Sequence, residues 1–354
     1  MLDTSQSLQD FIHRLPKVEL HLHLEGAVSV DTLRELAATR GRLRKKTEAW
    51  IRDRERQRFR YGNFRAFLKA FALVSLLLET PADYALATRR VIEKLAGQNV
   101  KYAEIIFAAG VILWKNQSMK AVFEAIAEAA SEAGSRTGVR VQWIFDAIRH
   151  FGTDHVREVL KWAKRLQARG VVALGIGGDE QGGPAALFTD IFREARESGL
   201  HVVAHAGEAS GPESIRDAVE LLGVERIGHG LTAAHDPGVM ALLHERRIPL
   251  EVCPSSNVST GVLARFEDHP LPLFLDAGLV VTLNSDDPAM FGTSLNEEFL
   301  RAARAFGLSH QVLTALCANA IQASFLDESE KQSLLREVSL VEANRSDSSA
   351  GAGR

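Results

Sequence analysis

Two histidines, His21 and His23, occupy alternate positions in the apolar stretch VELHLHLEG, residues 18–26. Successive side chains of a β-strand point to opposite faces, so both imidazoles lie on the same face of the predicted strand. Imidazole is the commonest metal ligand in proteins, and it also occurs in cores with its ring nitrogens hydrogen bonded. The stretch alone therefore fits either half of a metal site or a pair of buried structural histidines.

Further polar side chains follow other apolar stretches. In chain order they are Asp179 and Glu180 in GGDE, His205 and Glu208 in HAGE, His229 in GHG, Ser255 to Asn257 in CPSSN, and Asp286 and Asp287 in NSDDP. Such groups are rarely buried without partners. Four strands that each deliver a histidine or an aspartate to the same rim are therefore difficult to explain as core filling.

Imidazole and carboxylate donors together suit a catalytic divalent metal such as zinc, which keeps one position for water. We take His21, His23, His205 and Asp286 as ligands of one Zn²⁺ per chain. A bound zinc lowers the pKa of water toward roughly 7 and so makes hydroxide available at neutral pH. The sequence thus predicts metal-assisted hydrolysis.

Three nearby residues are candidates for moving protons. Glu208, three positions after His205, is the candidate general acid and base. His229 can orient or polarise the hydroxide, or it can be a hydrogen-bonded core histidine. Asp287 can exchange a proton with a substrate nitrogen, or it can cap the helix that follows it. Both pairs of alternatives stay open at this point.

The elements that must position these residues alternate along the chain. Eight apolar strand-like stretches, each followed by a helix-like stretch, begin near residues 18, 100, 139, 171, 201, 226, 248 and 279. This alternation indicates an α/β protein with a parallel sheet covered by helices, and eight units favour a closed (β/α)8 TIM barrel. The carboxyl ends of all strands meet at one face of such a barrel, where the candidate residues would converge.

Two segments interrupt the alternation between the first and second strands. Residues 41–60 are rich in arginine, and residues 61–80 are aromatic and apolar. We interpret the first segment as a solvated helix face and the second as a lid-like cover on the barrel mouth, so that 41–80 form a helical insertion after strand 1. Residues 1–341 are predicted to be a single barrel domain, and the small, polar segment 342–354 to be disordered.

Composition excludes several classes of partner. A formal net charge of −3 argues against nucleic acid and anionic membrane surfaces and leaves a small molecule as the expected partner. Only Cys253 and Cys317 occur, so no disulfide framework is implied. The N-terminal segment has no apolar signal core, and no stretch of 18 apolar residues follows. We therefore expect a cytoplasmic protein.

The motifs PKVELHLHLEGA, GGDE, HAGE, RIGHG, VCPSSNVSTG and LNSDDP, in this order across roughly residues 14–325, resemble the adenosine and AMP deaminase family of zinc hydrolases. Members are (β/α)8 barrels with one zinc, and they release the exocyclic amine at C6 of adenine-type rings as ammonia. The resemblance implies that His21, His23, His205 and Asp286 bind zinc, that Glu208 shuttles a proton to ring N1, that His229 holds the hydroxide, that Asp287 contacts N7, and that the Gly178 N–H meets N3.

The substrate is less well defined than the reaction. Adenosine deaminases commonly have Asp where this chain has Glu25, and that Asp contacts the sugar, so Glu25 is a candidate substrate-binding residue. HLHLEG looks more like members that act on adenine, whereas SNVSTG looks closer to nucleoside deaminases. We expect an adenosine-type 6-aminopurine nucleoside as substrate, with adenine and aminodeoxyfutalosine as alternatives. AMP is less expected, because no clear phosphate cradle is present.

Two other kinds of barrel protein share part of this pattern. A hydrolase with two metals bridged by a carboxylated lysine needs Lys at the end of strand 4, and VVALGIGGDE contains none. An inactive barrel that serves as a binding protein would most simply lack a ligand or Glu208, and all of these residues are present. The sequence therefore favours an active enzyme with one metal.

Overall fold

Eight parallel strands form one sheet in a computed structural model that describes residues 4–38, 41–56 and 60–351. The strands are β1 Lys17–His23, β2 Val100–Phe107, β3 Arg140–Ile148, β4 Val171–Gly177, β5 His201–Ala206, β6 Arg226–His229, β7 Leu250–Val252 and β8 Val281–Leu283. Each strand pairs in parallel with the next one in the chain. A bridge between Leu22 and Asp286 joins the segment after β8 to β1, so the predicted (β/α)8 TIM barrel is confirmed.

Helices connect the strands and cover the outside of the barrel. They are α1 Thr4–Arg14, α2 Val30–Ala38, α3 Gly41–Arg56, α4 Phe64–Leu77, α5 Pro81–Ala96, α6 Ala109–Trp114, α7 Met119–Thr137, α8 Thr153–Leu166, α9 Thr189–Glu197, α10 Pro212–Asp217, α11 Pro237–Glu245, α12 Pro254–Ser259, α13 Leu271–Asp276, α14 Pro288–Phe291, α15 Leu295–Phe306, α16 His310–Ala323 and α17 Glu328–Gly351. A π-helical turn, Ala218–Leu222, continues α10.

One barrel helix, α5, was not among the elements predicted from the sequence. It begins with a capping box, in which the Thr80 side chain accepts from the Asp83 amide and the Asp83 side chain accepts from the Thr80 amide. It packs against α7 and β2. The chain between β1 and β2 therefore contains a complete barrel helix in addition to the inserted segment.

The inside of the barrel contains an apolar cluster and an ionic cluster that lie next to each other. Strands β2 to β5 contribute a small apolar cluster of Ile106, Ile144, Ala173 and Val203. Next to it, Arg226 on β6 pairs with Val203 and lies between two buried carboxylates, with 2.5 Å from Nη2 to Glu104 and 2.5 Å from Nε to Glu251. Because both partners satisfy it, this guanidinium is buried without an uncompensated charge.

The inserted segment contains α3 and α4. In α3, Lys45 and Arg52 are exposed and Ile51 is buried, as expected for a solvated charged face, while residues 57–59 of the arginine-rich stretch lie outside the described residues. The last helix, α17, extends through most of the segment for which the sequence predicts disorder, and residues 352–354 lie outside the described part.

Within the described ranges, no single helix is long and apolar enough to cross a membrane. Only α4 and α5 taken together reach the necessary length and hydropathy, and the chain bends by 114° between them.

Candidate metal centre and active-site cavity

Four ionisable donors meet at the carboxyl ends of three strands. The Nε2 atoms of His23 and His205 are 3.2 Å apart. The Oδ1 atom of Asp286 lies 3.4 Å from Nε2 of His23 and 3.7 Å from Nε2 of His21. The structure thus brings together the four residues that the sequence predicts as zinc ligands.

The donor set fits a tetrahedral metal. With metal–nitrogen distances of about 2.0–2.1 Å, two tetrahedral ligand atoms lie about 3.3 Å apart, which is close to the separations found here. The Nε2 atom of His21 is buried without a hydrogen-bond partner among the described residues, so it is free to bind a metal. Its Nδ1 atom lies 2.7 Å from Glu251, and a carboxylate in this place fixes the ring so that Nε2 faces the site.

Other combinations of donors overlap with this set. Trios with ligand atoms within 4.8 Å of one another are His21, His205 and His229; His21, Cys253 and Asp286; and His23, Asp286 and Asp287. Cys253 is the weakest candidate among them, because burial raises the pKa of its thiol well above the usual range and the thiolate is the form that binds metal. Three nitrogens and one carboxylate therefore describe the centre best.

Two residues of the site adopt a backbone conformation that is unusual for side chains larger than glycine. His229 has φ 63° and Asp286 has φ 62°. The backbone around Asp286 is held by β1, since its N–H donates to the carbonyl of His21 and its carbonyl accepts from the N–H of His23, both at 2.9 Å. These contacts fix the carboxylate between the two histidines.

Glu208 is positioned through its backbone by a second glutamate. The Glu180 carboxylate accepts from the amides of Gly207, Glu208 and Ala209 at 2.8–3.0 Å. The Glu208 side chain then lies with Oε1 3.7 Å from Nε2 of His229. Burial, followed by the charges of Asp286 and Glu180, raises the pKa of Glu208 well above its usual range. A carboxyl group that keeps its proton at neutral pH is suited to donate it to a substrate nitrogen.

His229 and Asp287 lie near the carboxyl group of Glu208. Burial lowers the pKa of His229 to about 3, so the imidazole is neutral, and its Nδ1 atom lies 3.4 Å from the Asn257 amide. Asp287 is buried beside Gly26, where a Cβ atom would lie 1.5 Å from its Oδ1 atom. Burial and the neighbouring Asp286 raise the pKa of Asp287 well above its usual range, which favours a neutral carboxyl group able to donate a hydrogen bond.

A cavity of about 300 Å³ opens above these residues. We call its inner part the floor, which consists of His23, His205, Glu208, His229, Asp286 and Asp287 at the strand ends. We call its outer part the roof, which consists of Phe64, Phe67 and Phe71 of α4 together with Trp114 and Phe151. The cavity thus joins a polar inner end to an aromatic outer end.

The roof helix is tied to the barrel near both ends. Just before its start, the Tyr61 N–H donates to the carbonyl of Ser259 at 2.9 Å, and the Tyr61 hydroxyl donates to the carbonyl of Met290 at 2.8 Å. At its end, Nζ of Lys115 donates to the carbonyls of Ser75 and Leu78 at 2.7 and 2.6 Å. The apolar half of the predicted insertion therefore covers the cavity, as a lid-like segment would.

Gly178 and Glu25, the two other residues predicted to bind substrate, differ in their position relative to the cavity. Gly178 borders the cavity with φ 92°, and a Cβ atom there would lie 2.8 Å from Nδ1 of His150, so glycine is required. Glu25 is buried but does not border the cavity, and both of its carboxylate oxygens lack a hydrogen-bond partner among the described residues. Burial raises the pKa of Glu25 to about 7.

The sequence reasoning missed three buried ionisable residues near the site, Glu251, Asp146 and Arg149. Glu251 is the partner of His21. Asp146 borders the cavity, and burial raises its pKa to about 7 against the opposing charge of Arg149. Arg149 donates from Nη2 to the carbonyl of His205 at 2.6 Å. A single charge within an apolar strand, as in WIFDAI and PLEVCP, is the signal that could have identified Asp146 and Glu251.

A (β/α)8 barrel with histidine and aspartate donors at its strand ends belongs to the class of metal-dependent barrel hydrolases. A family model described as adenosine deaminase matches residues 16–341. The chain belongs to the adenosine deaminase family, whose members hydrolyse the C–N bond of cyclic amidines.

Related proteins carry three substrate names. The chain is 39% identical to an aminodeoxyfutalosine deaminase of Streptomyces avermitilis over 95% of this chain and 93% of that protein. It is 36% identical to an adenine deaminase of Rhizobium rhizogenes (91% and 98% covered) and 33% identical to an adenosine deaminase of Clostridium perfringens (90% and 97% covered).

Two solved structures share the fold closely. An adenine deaminase from Arthrobacter aurescens is 30% identical with a TM-score of 0.84, covering 92% of this chain and 98% of that one. An amidohydrolase from Burkholderia ambifaria with bound zinc is 26% identical with a TM-score of 0.86, covering 97% and 95%.

Proposed function

We propose that this protein catalyses zinc-dependent hydrolytic deamination of a 6-aminopurine nucleoside, giving the 6-oxopurine and ammonia. The observation that carries the proposal is the position of Glu208 beside His229 and Asp286, at the floor of a cavity that reaches the four-donor centre. Three imidazoles and one carboxylate suit zinc, and the structurally similar amidohydrolase of Burkholderia ambifaria holds zinc. The ligands would be His21, His23, His205 and Asp286.

When bound, zinc makes a water molecule nucleophilic at neutral pH. Addition of the water oxygen to C6 of the purine requires that ring N1 take up a proton, and Glu208 holds one because its pKa is raised. His229, neutral and 3.7 Å from both Glu208 and Asp286, orients the attacking oxygen. Glu208 then takes a proton from the oxygen that is now bound to C6 and passes it to the amine, so that the C6–N bond breaks and ammonia leaves. The second proton of that oxygen returns to Glu208, which restores its starting state and leaves the 6-oxopurine.

The purine is held by groups around these reacting atoms. Asp287 in its neutral form donates a hydrogen bond to N7, and the Gly178 N–H donates to N3. Both groups border the cavity. Glu25 does not border the cavity, so we propose that it does not contact the sugar directly. It would act by positioning the neighbouring chain near Lys115 and Ala108.

Aminodeoxyfutalosine is a second candidate substrate within the same class. The roof presents aromatic rings, and Trp114 and Phe151 stack with 6.2 Å between ring centroids, exposed to 52% and 36% at the mouth of the cavity. A nucleoside that carries an apolar substituent beyond its sugar would cover these rings. The similarity to the Streptomyces avermitilis deaminase supports this candidate.

A substrate panel tests both candidates. Adenosine, 2′-deoxyadenosine, adenine and aminodeoxyfutalosine are each incubated with the zinc-loaded protein, and conversion is followed by purine absorbance and by ammonia release. Conversion of a nucleoside with kcat/KM well above that of adenine supports the proposal. Exclusive conversion of adenine would replace the nucleoside by the free base, and no conversion by a protein that holds one zinc would favour the binding-protein alternative.

A further inference from the structure

Asp146 is a buried carboxylate that borders the cavity and has no part in the proposed chemistry. It lies on β3 and is 3% exposed. Its Oδ1 atom has no hydrogen-bond partner among the described residues. Buried polar atoms without a partner are rare because their lost hydration is not replaced, so this carboxylate requires an explanation.

Two glycines of β4 provide the space that the carboxylate occupies. Asp146 pairs with Gly175 in the parallel register of β3 and β4. A Cβ atom at Gly175 would lie 3.1 Å from Oδ1 of Asp146, and a Cβ atom at Gly177 would lie 3.1 Å from Oδ2. The carboxylate therefore extends across the face of β4, where larger residues would crowd it.

The same space borders one of the proposed metal ligands. The Cβ position of Gly177 is also 3.3 Å from Nδ1 of His205, so Asp146 Oδ2 and this ring nitrogen line one small gap. The partner found for Nδ1 of His205 is the carbonyl of Ile176 at 3.3 Å, which is longer than a usual N–H···O hydrogen bond. Both atoms lie within 3.3 Å of the same point, so the carboxylate and the ring nitrogen face a shared space.

His21 shows what such a carboxylate does when the contact is complete. Its Nδ1 atom lies 2.7 Å from Glu251, and Glu251 is itself held by Arg226. A metal-ligating histidine usually donates its second ring N–H to a carboxylate or carbonyl, which fixes the tautomer and the direction of the other nitrogen. Asp146 has the chemistry and the location to do the same for His205.

The buried cation next to Asp146 does not use up its carboxylate. Arg149 donates from Nη2 to the carbonyl of His205 and from Nη1 to the carbonyl of Gly183 at 3.4 Å. Its charge lies near Asp146, but its hydrogen bonds go to the backbone. Arg149 thus holds the main chain of His205 and leaves the carboxylate available for the ring.

We propose that Asp146 is a positioning residue that accepts a hydrogen bond from Nδ1–H of His205 and directs Nε2 of His205 toward the metal. The inference rests on the proposed function, since it takes His205 as a ligand. It gives the centre two outer carboxylates, one behind His21 and one behind His205, supplied by β7 and β3.

The test measures metal binding directly. Zinc affinity is determined by competition with a chelating dye for the wild type, D146N, D146A and E251Q, and the cobalt-substituted proteins are compared by their visible absorption. D276N serves as the control, because Asp276 is exposed at the end of α13 and does not border the cavity. KM for a convertible nucleoside is measured at saturating zinc.

We expect the zinc Kd to rise about 10-fold in D146N and up to about 100-fold in D146A, with a changed cobalt spectrum and an unchanged KM. D276N should match the wild type. Should D146A fail to fold, the isosteric D146N decides. Wild-type zinc affinity and cobalt spectrum in the folded D146 variants would overturn the inference, and a raised KM would then make Asp146 a substrate contact. A wild-type protein that binds no zinc would instead refute the proposed function.

Discussion

The floor and the roof of the cavity differ in almost every physical respect. The floor consists of buried ionisable groups, and neighbours fix them, as Glu180 does for Glu208 through three backbone amides. The roof consists of aromatic rings, and Trp114 at its edge is half exposed. Moving a proton requires a fixed position and a shifted pKa, whereas an apolar surface only requires a matching shape. We therefore expect the floor to determine the reaction and the roof to determine which substrate is accepted.

Removal of one proposed metal donor from the floor should have the largest effect. Asp286→Ala deletes the carboxylate that lies 3.4 Å from His23, and we expect loss of zinc together with loss of measurable turnover. Asp287→Ala, one residue along, should keep its zinc and lose turnover because the contact to the purine is gone. Metal content by mass spectrometry and ammonia release distinguish the two variants. Full zinc occupancy in both would show that the ligand assignment is wrong.

Glu208→Gln breaks the floor without disturbing the metal donors. General acid and base catalysis contributes roughly 10²–10⁴-fold to rate, so kcat should fall by about that factor while zinc content stays the same. Steady-state kinetics at saturating substrate measure the effect. Glu213→Gln, a change of an exposed glutamate on α10, is the matched control and should behave as the wild type. Equal kcat in both variants would remove Glu208 from the mechanism.

Buried carboxyl groups at the base of the site should make the metal-free protein less stable as pH rises. Burial raises the pKa of Glu19 to about 8 and that of Glu25 to about 7, above their ordinary value of 4.5. Between pH 4.5 and about 7 for Glu25, and between pH 4.5 and about 8 for Glu19, the folded state therefore binds more protons than the unfolded state. The free energy of unfolding consequently falls as the pH rises through these ranges.

The cleanest window lies between pH 6.5 and about 8. Below pH 6.5 the lowered pKa of buried His23 acts in the opposite direction. Urea unfolding in this window should show a decrease of up to about 1.4 kcal/mol per pH unit for each titrating group. Glu19→Gln should flatten the dependence, and the exposed Glu267→Gln should not. Constant stability across the window would contradict the assigned protonation states.

The smallest effect is expected at the edge of the roof. Trp114→Ala removes a ring that stacks on Phe151, and such aromatic contacts contribute about 0.5–1.5 kcal/mol, or roughly 2- to 10-fold in binding. KM for a nucleoside with an apolar substituent should rise by that factor, while KM for adenosine stays unchanged. An equal rise for both substrates would mean that the roof does not discriminate between them.

The barrel could be predicted from the sequence because each strand is a short apolar stretch, and several of these stretches end in a polar motif. HLH, HAGE, GHG and NSDDP contain the proposed metal donors and the proposed general acid, and the structure brings these residues together. The helix α5 was not predicted because residues 81–96 follow the inserted segment directly. The capping box at Thr80 and Asp83 is the sequence signal that marks its start.

The supporting residues were harder to find. Asp146 and Glu251 lie within strands rather than at strand ends, and their importance depends on which ring nitrogen lies opposite to them. That relation is set by strand register and by the absence of side chains at Gly175 and Gly177. The sequence indicates that these carboxylates are buried. It does not indicate which histidine each one faces, because that histidine belongs to a strand distant in the chain.

The left-handed backbone of His229 and Asp286 has a consequence for engineering this enzyme. A residue with a Cβ atom loses roughly 1–2 kcal/mol in that conformation, and glycine would relieve the loss. A search for heat-resistant variants that scores only stability would therefore favour glycine at two positions where we expect a substitution to abolish turnover. Positions 229 and 286 should be held fixed in any such library, and stabilising changes sought on the outer helices instead.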